Sequence, residues 1–414
     1  MRSVAEHQEA VRLLLAPLAD RDPELVGLEE ARRGGSDRVL ATDLRTSLDH
    51  PPFDNSQMDG YAVRSADLTP GAALRVAPRI AAGHPGAALA AGAAAPIMTG
   101  APLPEGADAV VPIEAATPDA FLPEGAGQTV RFAARPDTGA FVRGRGSDLP
   151  AGSVLLAAGS RLGPAQWGVI AASGITSVPV LRRIRVLVLS TGDELRAAGE
   201  PLGPGQVHDA NSAALAAAVR GAGAEVTETL TLGDDAATVR PVLARAATGA
   251  DLLLTSGGVS KGAYEVVRDV FEDAGVLFDS VAMQPGGPQG IGLAALEGQD
   301  GHRFTLPVVA FPGNPVSALV SFEMFLRPVL RRLHGLRPDR RSFLASLADG
   351  ADSPPAKHQV RRGRLDADGR VELVGGPSSH LLHGYASSTV LVHLPVGAAR
   401  LQAGASVEVW DIDE

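Results

Sequence analysis

From about residue 183 the chain alternates apolar runs with amphipathic stretches. "RIRVLVLS", "AEVTETLTL", "ADLLLTS" and "RFTLPVVAF" read as strands, the first being apolar enough to be buried on both faces. Between them lie helical patterns. "DANSAALAAAVRGAG" has Asn211 or Ser212 as its N-cap and Gly221 near its end; Asp234 and Asp235 open "DDAATVRPVLARAATG". "GGVSKGAYEVVRDVFEDAG" is a loop running into a helix, and "VSALVSFEMFLRPVLRRLHG" a long helix after a "PGNP" turn. This alternation predicts a parallel sheet with helices on both faces. Residues 38–180 have a different rhythm. Short β-like pieces ("GYAVRSADL", "AVVPIEAA", "QTVRFAAR", "SVLLAAGSRL") are broken by Gly, Pro and Ala, as in small β-rich units with many turns. Residues 340–414 return to short strands ("STVLVHLP", "ASVEVWDID") and predict a small separate β domain. The first 25 residues read as one or two helices, with Ser3 and Glu6 in capping-box spacing.

Composition narrows this picture. The 414 residues are 45% apolar, ample for several cores. No apolar run has transmembrane length and the N-terminus does not read as a signal peptide, so a cytoplasmic location and no membrane partner are expected. Cysteine is absent, which excludes disulfides, thiol nucleophiles and Cys-based zinc. The ten histidines show no H-x₃-H or HExxH spacing, and no Ser/His/Asp triad is indicated. A net charge of −10 argues against a nucleic-acid partner. Lys261 and Lys357 are the two lysines among 37 basic residues.

Three polar loops follow predicted strand ends: "STGDEL", "TSGGVSKGAYE" and "FPGNPVSA". In open α/β sheets ligands bind outside the carboxyl ends of the strands. In the second loop Gly257 and Gly258 permit close backbone approach, Ser256 and Ser260 offer hydroxyls, and Lys261 offers an ammonium. That set suits an oxyanion, and it is not a Walker loop. In the first, Asp193 and Glu194 are either helix-capping acids or ligands for a metal or amine. In the third, Pro312 and Pro315 hold Asn314 in a rigid turn. A fourth stretch, "PPFDNSQMDGYAV" at 51–63, sets Asp54 and Asp59 beside an expected Gly60 turn, with Met58, Tyr61 and Val63 as packing residues.

Together these segments resemble one family. "PPFDNSQMDGYAV", "IMTGAPLPEGADAVVPIE", "RGRGSDLPAGSVLLAAG", "LSTGDEL", "SGGVSKGAYEVV" and "FPGNPVSALVSFEMFLRPVL" are similar, in order, to the blocks of the molybdopterin molybdenumtransferase family (MoeA, with the gephyrin E domain as eukaryotic relative). The resemblance implies a multidomain α/β and β fold. It consists of a doubly wound MoaB/MogA-like α/β domain, β-rich N-terminal domains and a small C-terminal β-barrel-like domain. The implied boundaries are 1–25, a helical segment packing with the α/β domain; 26–44 with 150–182, a linker β domain; 45–149, a β-rich middle domain; 183–338, the molybdopterin-binding α/β domain; and 339–414, the C-terminal β domain.

The implied reaction inserts molybdate into adenylylated molybdopterin and releases AMP, with Mg²⁺ or another divalent cation. A homodimer is implied, its cleft lying between the α/β domain of one subunit and the middle domain of the other. Molybdopterin adenylyltransferase and molybdoenzyme-assembly proteins are implied as further partners. Asp59, Glu194, Asp234 and Glu265 fall at catalytic positions, the first three also as metal ligands. Thr99, Asp148, Ser256, Gly257, Gly258, Ser260, Lys261, Pro312, Asn314, Pro315, Arg362 and Ser379 fall at substrate-binding positions. Several residues depart from the family pattern. "GAYE" stands where many relatives read G-D-Y-D, so Ala263 lacks a carboxylate and Glu265 replaces another. "FDSVAMQPGGPQG" puts Ser280, Gln284 and Gly287 where cations are common. These departures keep two alternatives in view, a catalytically weakened molybdopterin-binding or scaffold homologue and a molybdopterin adenylyltransferase; the extra β domains disfavour the latter.

Overall fold

The computed structural model describes residues 1–32, 38–122, 127–260, 266–298 and 301–413. The chain divides into two compact units, one built mainly from Met1–Leu25 and Pro179–Glu414 and the other mainly from Leu40–Val178.

The first unit is organised by a six-stranded sheet. Its order is Glu225–Leu232, Arg185–Thr191, Leu252–Ser256, Arg303–Phe311, Pro288–Glu297, Val276–Ser280. Alternation along the strands sends side chains into two cores. Val186, Val188, Leu252, Leu254, Val309 and Phe311 join one core, with Val11 and Leu15 of the N-terminal helix and Leu215 and Val219 of the helix Asn211–Gly221. Leu187, Leu189, Leu253, Val308 and Ala310 join the other, with Val239 and Leu243 of the helix Ala236–Ala246 and Val270 and Phe271 of Val266–Phe271. The first four strands are parallel, as expected, but the last two are antiparallel. The reason is connection length. Five residues separate Pro288–Glu297 from Arg303–Phe311, and seven separate Val276–Ser280 from Pro288–Glu297; neither can hold a crossover helix.

Helix starts show further differences. The Ser3–Glu6 capping box is present on the helix Val4–Leu15, and Asp235 caps Ala236–Ala246 by accepting from Ala237 and Thr238 N–H. Neither Asn211 nor Ser212 caps its helix. The N-cap position is Ala210, and the Asp209 carboxylate takes the N–H groups of Asn211 and Ser212 at 2.9 and 3.0 Å. The long helix after Asn314 is three segments, α at Pro315–Ser321, π at Phe322–Leu326 and α at Arg327–Leu333.

The expectation of a β-barrel-like C-terminal domain is corrected. The C-terminal strands form an open sheet in the order Met283–Gln284, His358–Leu365, Val390–Leu394, Ser406–Asp411, Ser342–Ser346, with Val371–Leu373 paired on His358–Leu365. The barrel-like sheet lies in the second unit, between residues 60 and 132. Its order is Ala109–Pro112, Gly60–Val63, Ala93–Ile97, Ala73–Val76, Thr129–Phe132, Ala116–Thr117. Gly60–Val63 is buried throughout. Tyr61 and Val63 enter one core and Ala62 another. A sheet with apolar residues on both faces gains by curling round one of them. Gly60 therefore lies inside a strand, not in a turn. A Cβ there would stand 2.1 Å from Val111 O, so close strand approach is what requires glycine. Met58, expected to pack, is 36% exposed, whereas Tyr61 and Val63 are fully buried.

Candidate functional site

Three parallel strands of the first unit end at the same edge, and the loops that leave them meet. Gly257 N–H donates to Phe311 O at 3.1 Å. A Cβ on Gly257 (φ +96°) would stand 2.5 Å from Thr191 O, and one on Gly313 would stand 3.3 Å from Gly257 Cα. Gly258 (φ +60°) is equally tight, its virtual Cβ lying 2.8 Å from Val267 N. Glycine is what lets these backbones touch. The loops border a crevice of about 830 Å³. It is closed on one side by Gln284–Gly286 and by Pro377, Ser378 and Ser379 of the C-terminal sheet region, where Val316 N–H donates to Ser379 O at 3.2 Å.

The crevice gathers many of the sequence-derived positions. Glu194, Asp234, Gly257, Gly258, Ser260, Pro312, Asn314, Pro315 and Ser379 all line it. Asp193 and Asp234 brace one another, Asp234 N–H donating to Asp193 Oδ1 at 2.9 Å and Asp193 N–H to Asp234 Oδ2 at 3.3 Å. The Glu194 carboxylate folds back over Gly192. Its main-chain oxygen accepts Val207 N–H at 2.9 Å, which fixes the turn.

Other positions are placed elsewhere. Ser256 is 1% exposed and does not line the crevice; its hydroxyl pairs with Ser190 Oγ at 3.2 Å on the neighbouring strand. Arg362 is wholly buried, and burial lowers the pKa of its guanidinium. Its Nη2 donates to Gly376 O at 2.5 Å and Ser378 O at 3.3 Å, so it clamps from behind the loop that brings Ser378 and Ser379 to the crevice. Arg361 holds the same loop through Gly375 O at 3.0 Å. Lys261, Ala263 and Glu265 lie outside the described residues. Gln284 lines the crevice and accepts Gln359 Nε2–H at 2.7 Å, while Ser280 and Gly287 lie outside its lining.

Asp59, Thr99 and Asp148 belong to the second unit. Thr99 donates both N–H (2.7 Å) and Oγ1–H (2.8 Å) to Asp59 Oδ1. Those two bonds, the backbone one first, hold the Asp59 carboxyl below the usual carboxylate range. The neighbouring polar residues of 51–63 build turns. Ser56 Oγ donates to Met58 O, Asn55 Nδ2 to Phe53 O, and Asp54 accepts Arg145 N–H at 2.6 Å. Arg145 also pairs with Asp49, which accepts Ala151 N–H at 2.8 Å; these bonds tie down the 144–151 loop carrying Asp148.

Sequence reading passed over Thr191, Asp209 and Ser317, and took Asn211 only as a cap; all four line the crevice. Asp209 accepts from Thr231 Oγ1 at 2.7 Å besides the two helix N–H groups. The available signal was "HDANS", a run of polar residues at a helix start. Among the described residues no group of three or more His, Cys, Asp or Glu stands together as a metal cage. No helix among them is long and apolar enough to cross a membrane.

Comparison with known proteins bears on all of this. The family model described as "MoeA N-terminal region (domain I and II)" matches residues 2–174, "Probable molybdopterin binding domain" matches 187–332, and "MoeA C-terminal region (domain IV)" matches 345–412. Molybdopterin molybdenumtransferase 2 of Mycobacterium tuberculosis is 45% identical over 432 aligned positions, covering all of both chains. Molybdopterin molybdenumtransferase of Haemophilus influenzae is 34% identical, covering 93% of each chain. Among solved structures, a molybdopterin biosynthesis MoeA protein from Pyrococcus horikoshii superposes with a TM-score of 0.79 at 29% identity, covering 100% of this chain and 99% of the other.

Proposed function

This chain belongs to the MoeA family and is a molybdopterin molybdenumtransferase, and from that premise we propose that the crevice at the strand ends holds its substrate, adenylylated molybdopterin. The observation that carries this reading is the convergence of the 191–195, 256–260 and 311–315 loops on one crevice of about 830 Å³, a size that suits a nucleotide-bearing ligand. Gly257 and Gly258 bring main-chain atoms close to the ligand, and the Arg362-clamped loop presents Ser378 and Ser379 to it.

Mg²⁺ fits the residues present. It binds proteins through one or two carboxylates and takes its remaining ligands from water and substrate phosphates, so it needs no closed protein cage. Glu194 and Asp234, both on the crevice wall, are the pair we assign to it. Bound there, it would supply charge neutralisation at the substrate's phosphates. Asp59 is the carboxylate we assign to the chemistry. Its two bonds from Thr99 fix its orientation and keep it ionised, which suits transition-state contacts better than nucleotide binding. Asp148 is assigned to the substrate through the family resemblance alone.

We further propose a cytoplasmic homodimer that receives its adenylylated substrate from a molybdopterin adenylyltransferase and passes cofactor to molybdoenzyme-assembly proteins. Light scattering at micromolar protein tests the dimer; a monomer mass refutes it. The reaction is tested by incubating the protein with adenylylated molybdopterin, molybdate and Mg²⁺. AMP and active cofactor should appear together. Binding without AMP release would favour a scaffold.

A further inference from the structure

Two crevice-lining side chains each keep a buried polar atom without a partner among the described residues: Thr191 Oγ1 and Asn211 Oδ1. Thr191 is 6% exposed and Asn211 7%. The Asn211 amide cannot be turned round freely. Its Nδ2 donates to Gly313 O at 2.7 Å, and a flip would set two oxygens against each other. Its main-chain N–H is held by Asp209, so the residue is fixed at both ends and Oδ1 is what remains. Buried polar groups in folded proteins are mostly paired, and these two orphaned atoms share the wall of one crevice, where a ligand can supply the partner.

The charge inventory narrows the ligand. Among the described residues lining the crevice are Glu194, Asp209 and Asp234, and no Arg or Lys. Phosphate and molybdate oxygens are acceptors and cannot satisfy an amide oxygen. A substrate group that satisfies Asn211 Oδ1 by hydrogen bonding is therefore a donor. An amino-heterocycle has this chemistry: the amino-lactam edge of a pterin and the amino edge of adenine both present N–H groups. Asp209 is already engaged by three donors, two on Oδ1 and one on Oδ2, whereas Asn211 Oδ1 and Thr191 Oγ1 have none among the described residues.

We propose that Asn211 and Thr191 are specificity-determining residues that read an N–H edge of the substrate's heterocycle, with its phosphates directed to the Glu194 and Asp234 side. This rests on the crevice being the substrate site. Two matched probe pairs test it by titration in the presence of Mg²⁺. Pterin is compared with lumazine, which carries an oxo group in place of the amine. AMP is compared with purine riboside 5′-monophosphate, which lacks the amine. The parent protein should bind the amino member of one pair about tenfold more tightly, and that pair identifies the base being read. Thr191→Val and Asn211→Ala should bring the ratio towards one. Thr191→Val removes a hydroxyl that makes no bond, so its Tm should hold or rise, which separates lost recognition from lost folding. A purely structural Asn211 would weaken both members of a pair alike and keep their ratio. A ratio near one for both pairs in the parent, or an unchanged ratio in both variants, overturns the proposal. If AMP release still occurs with adenylylated molybdopterin, only this inference falls; if discrimination holds but AMP release fails, the inference stands and the proposed reaction falls.

Discussion

The carboxylates at the α/β crevice and the carboxylate at Asp59 are built in opposite ways. In the crevice the cavity comes first. Parallel strands end together, glycines let their loops touch, and Glu194 and Asp234 stand on the wall of the space that results. At Asp59 the acid comes first. It sits beside a strand of the barrel-like sheet, and Thr99 supplies two donors that fix its direction and lower its pKa. A cavity with unpaired acceptors is suited to holding a ligand. A single oriented, ionised carboxylate is suited to acting on one.

The largest expected effect comes from Asp59→Asn. Turnover should fall by about 10²- to 10⁴-fold, the usual scale for a positioned proton-transferring or charge-stabilising group. AMP release measures it. Tm should change little because the side chain is exposed and packs no core. A large loss of Tm would make Asp59 a fold residue.

Acid should separate the two units. His7 and His334, with pKa lowered to about 4, and His393, lowered to about 3, all belong to the first unit, and burial is the main cause in each. For His334 the geometry agrees: Nδ1–H donates to Leu330 O at 2.7 Å and Nε2 accepts Ile184 N–H at 2.9 Å, so protonation forfeits that second bond. The folded pKa lies below the unfolded value of 6.5, so the unfolded chain takes protons first. Stability is whole above about pH 6.5 and is lost as pH falls through 4, by about 3 kcal/mol each for His7 and His334, with His393 acting in the same direction down to still lower pH. Trp410 reports the first unit and Trp167 the second, so fluorescence of Trp410→Phe and Trp167→Phe variants follows each alone. The Trp410 transition should move most between pH 7 and 4. Equal movement of both would contradict the assignment.

Two glycines give a smaller, matched pair. Gly257→Ala meets Thr191 O at 2.5 Å at a positive φ, and Gly60→Ala meets Val111 O at 2.1 Å within a sheet. Each should cost about 1–3 kcal/mol in urea unfolding. Gly257→Ala should also weaken AMP binding, and Gly60→Ala should leave it alone.

The smallest effect is Thr99→Val, which keeps the main-chain donor and removes the hydroxyl. Turnover should drop by about tenfold, near 1.4 kcal/mol. Losing a donor to the carboxylate raises its pKa, so the acid limb of the pH–rate profile should move to higher pH. An unmoved limb would mean that Thr99 does not tune Asp59.

Legibility in the sequence followed interaction range. The capping box at Ser3 and Glu6, the cap at Asp235 and the four parallel strands depend on neighbours a few residues away, and they were readable. The three polar loops were readable as a set because strand ends of a parallel sheet share one edge. Long-range pairings were not. Gly60 reads as a turn until Val111 is set against it, and Ser256 reads as a ligand until Ser190 occupies its hydroxyl. Asn211 reads as a cap because nothing local shows that Asp209 does the capping and that Gly313 holds the Asn211 amide. The barrel-like sheet was assigned to the wrong end of the chain because short strands carry no record of which partners they curl towards.

The division of labour between crevice and carboxylate is tested most directly by titrating Asp59→Asn and the parent protein with adenylylated molybdopterin in Mg²⁺ without molybdate. The account predicts the same Kd for both, within about twofold, although the variant's turnover has collapsed. A Kd weakened in step with turnover would contradict it, because Asp59 would then be holding the nucleotide that the crevice is argued to hold.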